Sequence, residues 1–225
     1  MDIDQFADRD FDDPIISQND LSTPNKVAKE GDVIGWDYNI VTRATSLFGQ
    51  YEKKWQKVEV YAAAHLAQTS FRRDGNVQNG RFPETSEGKG ESQDFLTGGI
   101  KAGATYKITG RQFIVANAAY LNRPPSPRNS FLSARTRPDV IPGLQSESVY
   151  TGDIGYVVRY ARLKARATFY YTKMMDQMWS RFYYNDEALT VVNYSMSGVD
   201  QINKGVEVGI EANLTSTIQM TAVYA

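Results

Sequence analysis

A two-residue alternation that recurs along most of the chain constrains its fold more than any other feature. In FLTGGIKAGATYKI (95–108), Leu96, Gly98, Ile100, Ala102, Ala104, Tyr106 and Ile108 fall on one side, and Phe95, Thr97, Gly99, Lys101, Gly103, Thr105 and Lys107 on the other. The same period sets Tyr150, Gly152, Ile154, Tyr156 and Val158 apart from their neighbours, then Leu163, Ala165, Ala167, Phe169 and Tyr171. It returns in Val206, Val208, Ile210, Ala212 and Leu214, and in Ile218, Met220, Ala222 and Tyr224. Side chains alternate between faces only along a β-strand, so the chain is predicted to be all-β and antiparallel. FIVANAAYL (113–121) adds a returning strand, and 36–53 and 58–73 add two more with less regular alternation. About eight strands result.

Their connections sort by length. Short turns are predicted near 54–57, 109–112, 160–161 and 215–217. Long polar loops are predicted near 74–94, 122–147 and 176–203, the last with strand extensions around 178–184 and 190–196. Residues 1–32, acidic and polar, read as an extracellular loop or an unstructured lead-in, and 33–225 as the strand-bearing part. A soluble sandwich has no reason to alternate short and long connections, whereas an outer-membrane barrel does. Several strands also reach the ~9–11 residues needed to cross a bilayer.

The apolar side is rich in Ala, Gly and Tyr, which is thin for a packed core but acceptable against lipid. Lys101, Lys107, Arg159, Arg162, Lys164, Arg166, Glu207 and Glu211 lie opposite the apolar series, as the lumen of a membrane barrel requires. With 14 Tyr and 3 Trp the chain also supplies an interfacial girdle, for which Trp36, Tyr51, Trp55, Tyr106, Tyr120, Tyr150 and Tyr160 are placed at strand ends. A single hairpin of this kind is more readily a sheet with one wet face. Repetition favours a partial transmembrane β-barrel.

Other classes are excluded or weakened by composition. A net charge of −1 gives no field for nucleic acid. No cysteine is present, which removes disulfides, thiolate nucleophiles and Cys-type zinc sites. No run approaches the ~18–20 apolar residues of a membrane helix, a statement that leaves barrels untouched. The opening residues, MDIDQFADRD, lack the features of a secretory signal.

Four stretches carry a family resemblance: LSTPNKVAKEGDVIGWDYNI, FGQYEKKWQKVEVYAAAHLAQTSFRRDG, NRPPSPRNSFLSARTRPDVIPGLQSESVYTGDIGYVV and INKGVEVGIEANLTSTIQMTAVYA. In order and spacing they resemble the C-terminal barrel of TonB-dependent outer-membrane receptors. The resemblance implies a 22-stranded barrel in the outer membrane, plugged by an N-terminal domain and driven by TonB. It implies uptake of an extracellular nutrient (a siderophore, a cobalamin, or an oligosaccharide or peptide) into the periplasm. Outer-membrane lipid, the plug, TonB and a surface lipoprotein are the partners implied. About eight strands do not close such a barrel. The chain shows no plug, TonB box or terminal aromatic strand, so it is expected to be an internal arc, a fragment that does not transport alone.

Candidate residues follow the loops. Trp179, Phe182, Tyr183, Tyr184 and Tyr194 are the predicted ligand contacts, because aromatic faces suit sugars and flat chelates entering from the loop side. A folded-loop core is the competing role for them. Asp8, Asp10 and Asp12 occupy alternate positions of a calcium-loop pattern, but Asp13 and Asn19 stand where a Gly and a Glu are required. A solvated acidic loop is favoured there, and no metal or cofactor site is predicted. His65, the single histidine, has no nucleophile motif beside it and reads as a structural or lumen-lining residue. Arg159, Arg162, Lys164 and Arg166 flank a short turn and read as facing the plug or water. No enzyme is expected. Two rivals stay open: a soluble β-sheet binding module, which would fold in water without detergent, and an outer-membrane barrel hydrolase, which would need a catalytic constellation on the wall.

Overall fold

The computed structural model describes residues 13–187 and 190–225 and consists of one antiparallel sheet. The strands are β1 (Tyr38–Lys54), β2 (Val58–Gly75), β3 (Gly88–Lys89), β4 (Gln93–Thr109), β5 (Gln112–Arg123), β6 (Glu147–Arg159), β7 (Leu163–Asn185), β8 (Thr190–Asn213) and β9 (Gln219–Tyr224). One turn of 3-10 helix, Pro127–Asn129, sits between β5 and β6. The main path runs β1-β2-β4-β5-β6-β7-β8-β9 with every strand beside its sequence neighbour, and the two-residue β3 pairs with the end of β2. Such a meander is what short turns joining long alternating strands produce. Among the described residues the sheet does not close, and β1 and β9 are its edges.

The register separates two faces. One cross-strand row runs Tyr51, Ala62, Ala102, Ala118, Gly152, Tyr171, Lys204. The next runs Glu52, Tyr61, Gly103, Asn117, Asp153, Tyr170, Gly205, and its side chains point the other way. The first row belongs to the predicted apolar series, and that face is bare: Leu96 is 66% exposed, Ile100 63% and Ile154 53%. The opposite, inward face holds buried Thr97, Thr168 and Val149. Total accessible surface is 15148 Å², against roughly 10,300 Å² for a compact soluble chain of this mass. The excess lies in an apolar face that the chain does not cover itself.

The aromatic residues of the bare face are spread along the strands, with Tyr156 level with Ile114, Phe169 with Ala116, and Tyr51 and Tyr171 with Ala118. Trp55, Tyr106 and Tyr160 mark the short-turn rim. Tyr120 and Tyr150, with ring centroids 4.8 Å apart, lie several residues further along β5 and β6. From Gln112 to Tyr120 the strand runs roughly 26 Å at ~3.3 Å per residue.

The sequence reading needs two corrections. Residues 176–203 are not a loop with short extensions, because β7 and β8 run through nearly all of that stretch as one hairpin. Their pairing carries two irregularities that cancel. From Met174 to Gln177, β7 is one residue longer than its partner, and from Gln177 to Trp179, β8 is one longer. Asp176 (φ 60°) and Gly198 (φ 69°) occupy these bulges. The bulges break the alternation from which the strands were read. Trp36 is not a girdle residue: it precedes β1 and lies beneath the Arg135 guanidinium, 4.1 Å from its ring centroid, at the long-loop end.

Candidate functional site

The chain's real core lies at the long-loop end, where loops fold over the inward side of the sheet. Phe71 stacks on Phe95 at 5.5 Å and meets the edge of Phe131 at 6.1 Å. Phe71, Phe131, Ile141 and Met178 are all buried. Beside them Arg73 is 1% exposed, with Nε donating to Ala134 O (2.9 Å) and Nη1 to Thr85 O (3.4 Å). Thr85 Oγ1 donates to Thr136 O (2.9 Å), so the 76–92 and 124–146 loops are tied to β2 and to each other. A buried guanidinium with carbonyl partners is a fixed crosslink. The segment before β1 docks on the same platform: Asn79 Nδ2 donates to Gly35 O (3.2 Å) and Gly80 N to Gln18 O (3.0 Å).

The predicted ligand contacts divide between the faces of the β7–β8 overhang. Ser180 Oγ donates to Asn193 Oδ1 (2.7 Å), and Asn193 Nδ2 to Leu132 O (2.7 Å). Phe182, paired with Asn193, meets Arg135 of the same loop, with the guanidinium 5.8 Å from its ring. Phe182 thus belongs to the loop-facing side, and alternation places Tyr184 with it. Trp179, Tyr183 and Tyr194 take the far side. Tyr183 and Tyr194 pack edge to face at 6.4 Å, and Arg181 lies 5.5 Å over Trp179. The five residues therefore do not line one cleft. Phe182, Tyr183, Tyr184 and Tyr194 are exposed and Trp179 is half-buried.

The loop-facing side adds residues the sequence did not single out. Arg135 lies between the Trp36 and Phe182 rings, joining the lead-in, the 124–146 loop and the hairpin in one cation–π stack. No signal in the linear sequence brings 36, 135 and 182 together.

On the inward face, Tyr61 Oη donates to Asn117 Oδ1 (3.0 Å), and Asn117 Nδ2 bridges both oxygens of Asp153 (2.9 and 3.1 Å). This polar ladder crosses β2, β5 and β6. It bridges over Gly103 of β4, where a Cβ would overlap Asn117 Oδ1 and the Tyr61 ring. Tyr170 lies across Gly205 and His65 across Gly99 in the same manner. His65 thus packs on a neighbouring strand's glycine and is half-buried.

Among the described residues no three His, Asp or Glu side chains come together to hold a metal. Asp8, Asp10 and Asp12 lie outside the described residues. Asp13 Oδ1 accepts from the backbone N–H groups of Ile15 (2.7 Å) and Ile16 (3.2 Å) in a local turn, and Asn19 Oδ1 accepts from Gly35 N, tying the lead-in to the start of β1. The basic group near the short turn is also engaged: Lys164 pairs with Glu211 (2.7 Å), Arg166 Nε donates to Thr168 Oγ1 (2.8 Å), and Arg159 lies 5.4 Å over Phe113. Arg162 sits at the turn tip. A concavity of about 1220 Å³ forms a shallow saddle on the bare face over Ala62, Ala64, Ala102, Ala118 and Gly152. It arises where small residues sit between larger ones and offers no convergent polar groups.

Sheet order and connection lengths match the fold of a stretch of large antiparallel β-barrels in solved structures. Solved structures with this fold include the copper transporter OprC, at 13% identity and a TM-score of 0.66, covering 82% of this chain and 29% of that one. The FrpB iron transporter from Neisseria meningitidis matches at 11% identity and 0.58, covering 80% and 25%. The ferric-catecholate import receptor Fiu from E. coli K12 matches at 17% and 0.55, covering 90% and 31%. The chain thus spans about a third or less of the length of each. No family model and no curated protein matches the sequence.

Proposed function

We propose that the chain forms part of the wall of an outer-membrane receptor that takes up a scarce extracellular nutrient with TonB-coupled energy. The bare apolar face then lies against outer-membrane lipid, the short turns face the periplasm, and the long-loop platform faces outward. Residues 33–225 are the barrel arc and 1–32 belong to the extracellular side. The observation that carries the reading is the single phase of the apolar series, kept from β4 to β9 on the face that no part of the chain covers. The inward face would meet a plug domain through the Tyr61–Asn117–Asp153 ladder, with TonB acting through that plug.

The substrate class is a siderophore, cobalamin, or oligosaccharide or peptide, with a surface lipoprotein as a further partner of the loops. Metal and ferric-chelate cargo is favoured by the names of the structural neighbours, which are copper, iron and ferric-catecholate carriers. On the loop-facing side, Phe182 with Arg135 and Trp36 is the group best suited to a flat or anionic chelate. Trp179, Tyr183, Tyr184 and Tyr194 remain as flanking contacts.

The test is recovery from the membrane fraction. The protein should require detergent and migrate on a gel in a heat-modifiable way. A monodisperse, cooperatively folded protein in water would favour the soluble binding module instead. For the site, Phe182→Ala should weaken uptake or binding of the cognate chelate about tenfold, the ~1–3 kcal/mol of an aromatic contact. Unchanged uptake would remove Phe182 from the substrate path.

A further inference from the structure

We infer that the outward side of the β7–β8 overhang is a binding surface for an anionic glycolipid, one whose headgroup is a phosphorylated oligosaccharide. The inference rests on the membrane orientation proposed above, and it gives three of the flanking aromatics a ligand of their own.

Two observations fix the side. The 124–146 loop folds over the inward face, where its Phe131 meets Phe71, and it takes Phe182 and Asn193 of the hairpin through Arg135 and Leu132 O. Trp179, Arg181, Tyr183 and Tyr194 alternate with those residues and so point outward. Below the bulges the same parity holds: odd-numbered residues of β7 (Phe169, Tyr171) and even-numbered residues of β8 (Val206, Val208) belong to the bare face. The patch therefore continues the lipid-facing side of the wall beyond its apolar part.

Its chemistry changes at a definite height. The outward apolar series of β7 ends at Tyr171, and Lys173 follows, paired with outward Asp200 of β8 at 3.5 Å. Trp179 lies six residues past Lys173. At ~3.3 Å per residue and the ~45° tilt of a membrane strand, that is a rise of about 14 Å. A phospholipid headgroup layer is about 5–8 Å deep, so it ends below Trp179, whereas a headgroup of several sugars reaches it.

The residues at that height suit such a headgroup. Tyr183 and Tyr194, 48% and 55% exposed, pack edge to face at 6.4 Å, and Trp179 lies beside them with Met196 as its cross-strand pair. Flat aromatic faces accept the C–H faces of sugar rings. Arg181 is exposed and held 5.5 Å over the Trp179 ring. Among the described residues it has no carboxylate partner: Asp176 and Asp200 lie at the base of the hairpin, Asp200 already paired with Lys173, and Asp186 and Glu187 lie at its tip. A guanidinium set in an aromatic patch and free of acids is matched by a phosphate, which it binds through two parallel N–H groups.

The protein in detergent, stripped of lipid, should be offered rough lipopolysaccharide, the same glycolipid with its phosphates removed, and phosphatidylglycerol, in equal amounts. Native mass spectrometry should show the intact glycolipid retained several-fold more than either of the others, with the preference falling as salt is raised. Arg181→Gln should remove the preference for the phosphorylated form, and Trp179→Leu should weaken retention of both glycolipids. Lys101→Gln, which removes a cation from the inward face, should change neither. Equal retention of the two glycolipids by the unaltered protein, phosphatidylglycerol retained as well as the intact glycolipid, or an undiminished preference in Arg181→Gln overturns the inference. The comparison on the unaltered protein needs no variant, so it decides even where a variant does not fold. A protein that stays monodisperse in water without detergent instead refutes the membrane orientation.

Discussion

Glycine and aromatic residues are matched across the inward face, and Gly103 shows what the match requires. Its missing Cβ leaves room for the Tyr61 ring to reach Asn117 and, through it, Asp153. Gly103→Ala should force the ring aside and lower stability by about 1–3 kcal/mol, the usual cost of overpacking. Gly209→Ala, with open space around it, should be close to neutral. The check is the temperature at which heat-modifiable mobility is lost, and adding Tyr61→Ala should make the Gly103→Ala change less costly. A second residue-scale case is Asp32, in the loop segment before β1. Its carboxyl is held below the ordinary value of 3.8 chiefly by the Lys29 backbone N–H, with burial opposing and Lys26 assisting. A carboxylate lowered in the folded state contributes stability that is complete above the unfolded value and lost as pH falls through the folded one. The 29–32 turn should therefore hold from neutral pH down to about 4 and loosen only below it. The Lys29 amide chemical shift should report a midpoint under 3.8; a midpoint at or above that value would show that the hydrogen bond does not form in solution.

At the scale of elements, the overhanging hairpin depends on two backbone positions. Gly198 has a φ of 69° and nothing within 4 Å of where a Cβ would lie, so Gly198→Ala carries only a backbone penalty of roughly 1–2 kcal/mol. Hydrogen exchange at the amides of Trp179–Tyr184 should quicken accordingly, while exchange in β4 and β5 stays unchanged. Uniform quickening across the sheet would show that the overhang and the belt open together. This hairpin also marks where the sequence ceased to be readable. Ile100, Ala102, Ala104 and Tyr106 declared their strand because each alternates with a polar or small neighbour on a face of constant environment. Ser180, Arg181, Phe182 and Tyr183 pass loop contacts on one side and open space on the other, and bulges interrupt the period on both strands. Their types carry no face label. The candidate site suffered most from this. Its aromatics were found, but their division between two faces and the insertion of Arg135 between Trp36 and Phe182 follow from loop folding over distances that no local pattern encodes.

At the scale of the whole molecule, the sheet keeps one register while tolerating irregularity. The pairs Met174↔Gln201 and Trp179↔Met196 bracket an extra residue in each strand, and pairing beyond them resumes as if neither were there. In genetic terms the hairpin contains a frameshift and its suppressor. Deleting Asp176 alone should slip every pair from Trp179↔Met196 to the tip by one residue, and Asn193 would lose Ser180 and Leu132 O together. Deleting Gly198 as well should restore the original pairing and with it protease resistance of the 124–146 loop. An overhang that remained protected after the single deletion would show that its register is imposed by the loops rather than inherited from the belt below. The same cancellation gives a rule for how such sheets change over time: residues can be gained in the overhang in complementary pairs without disturbing the strand pairing below it.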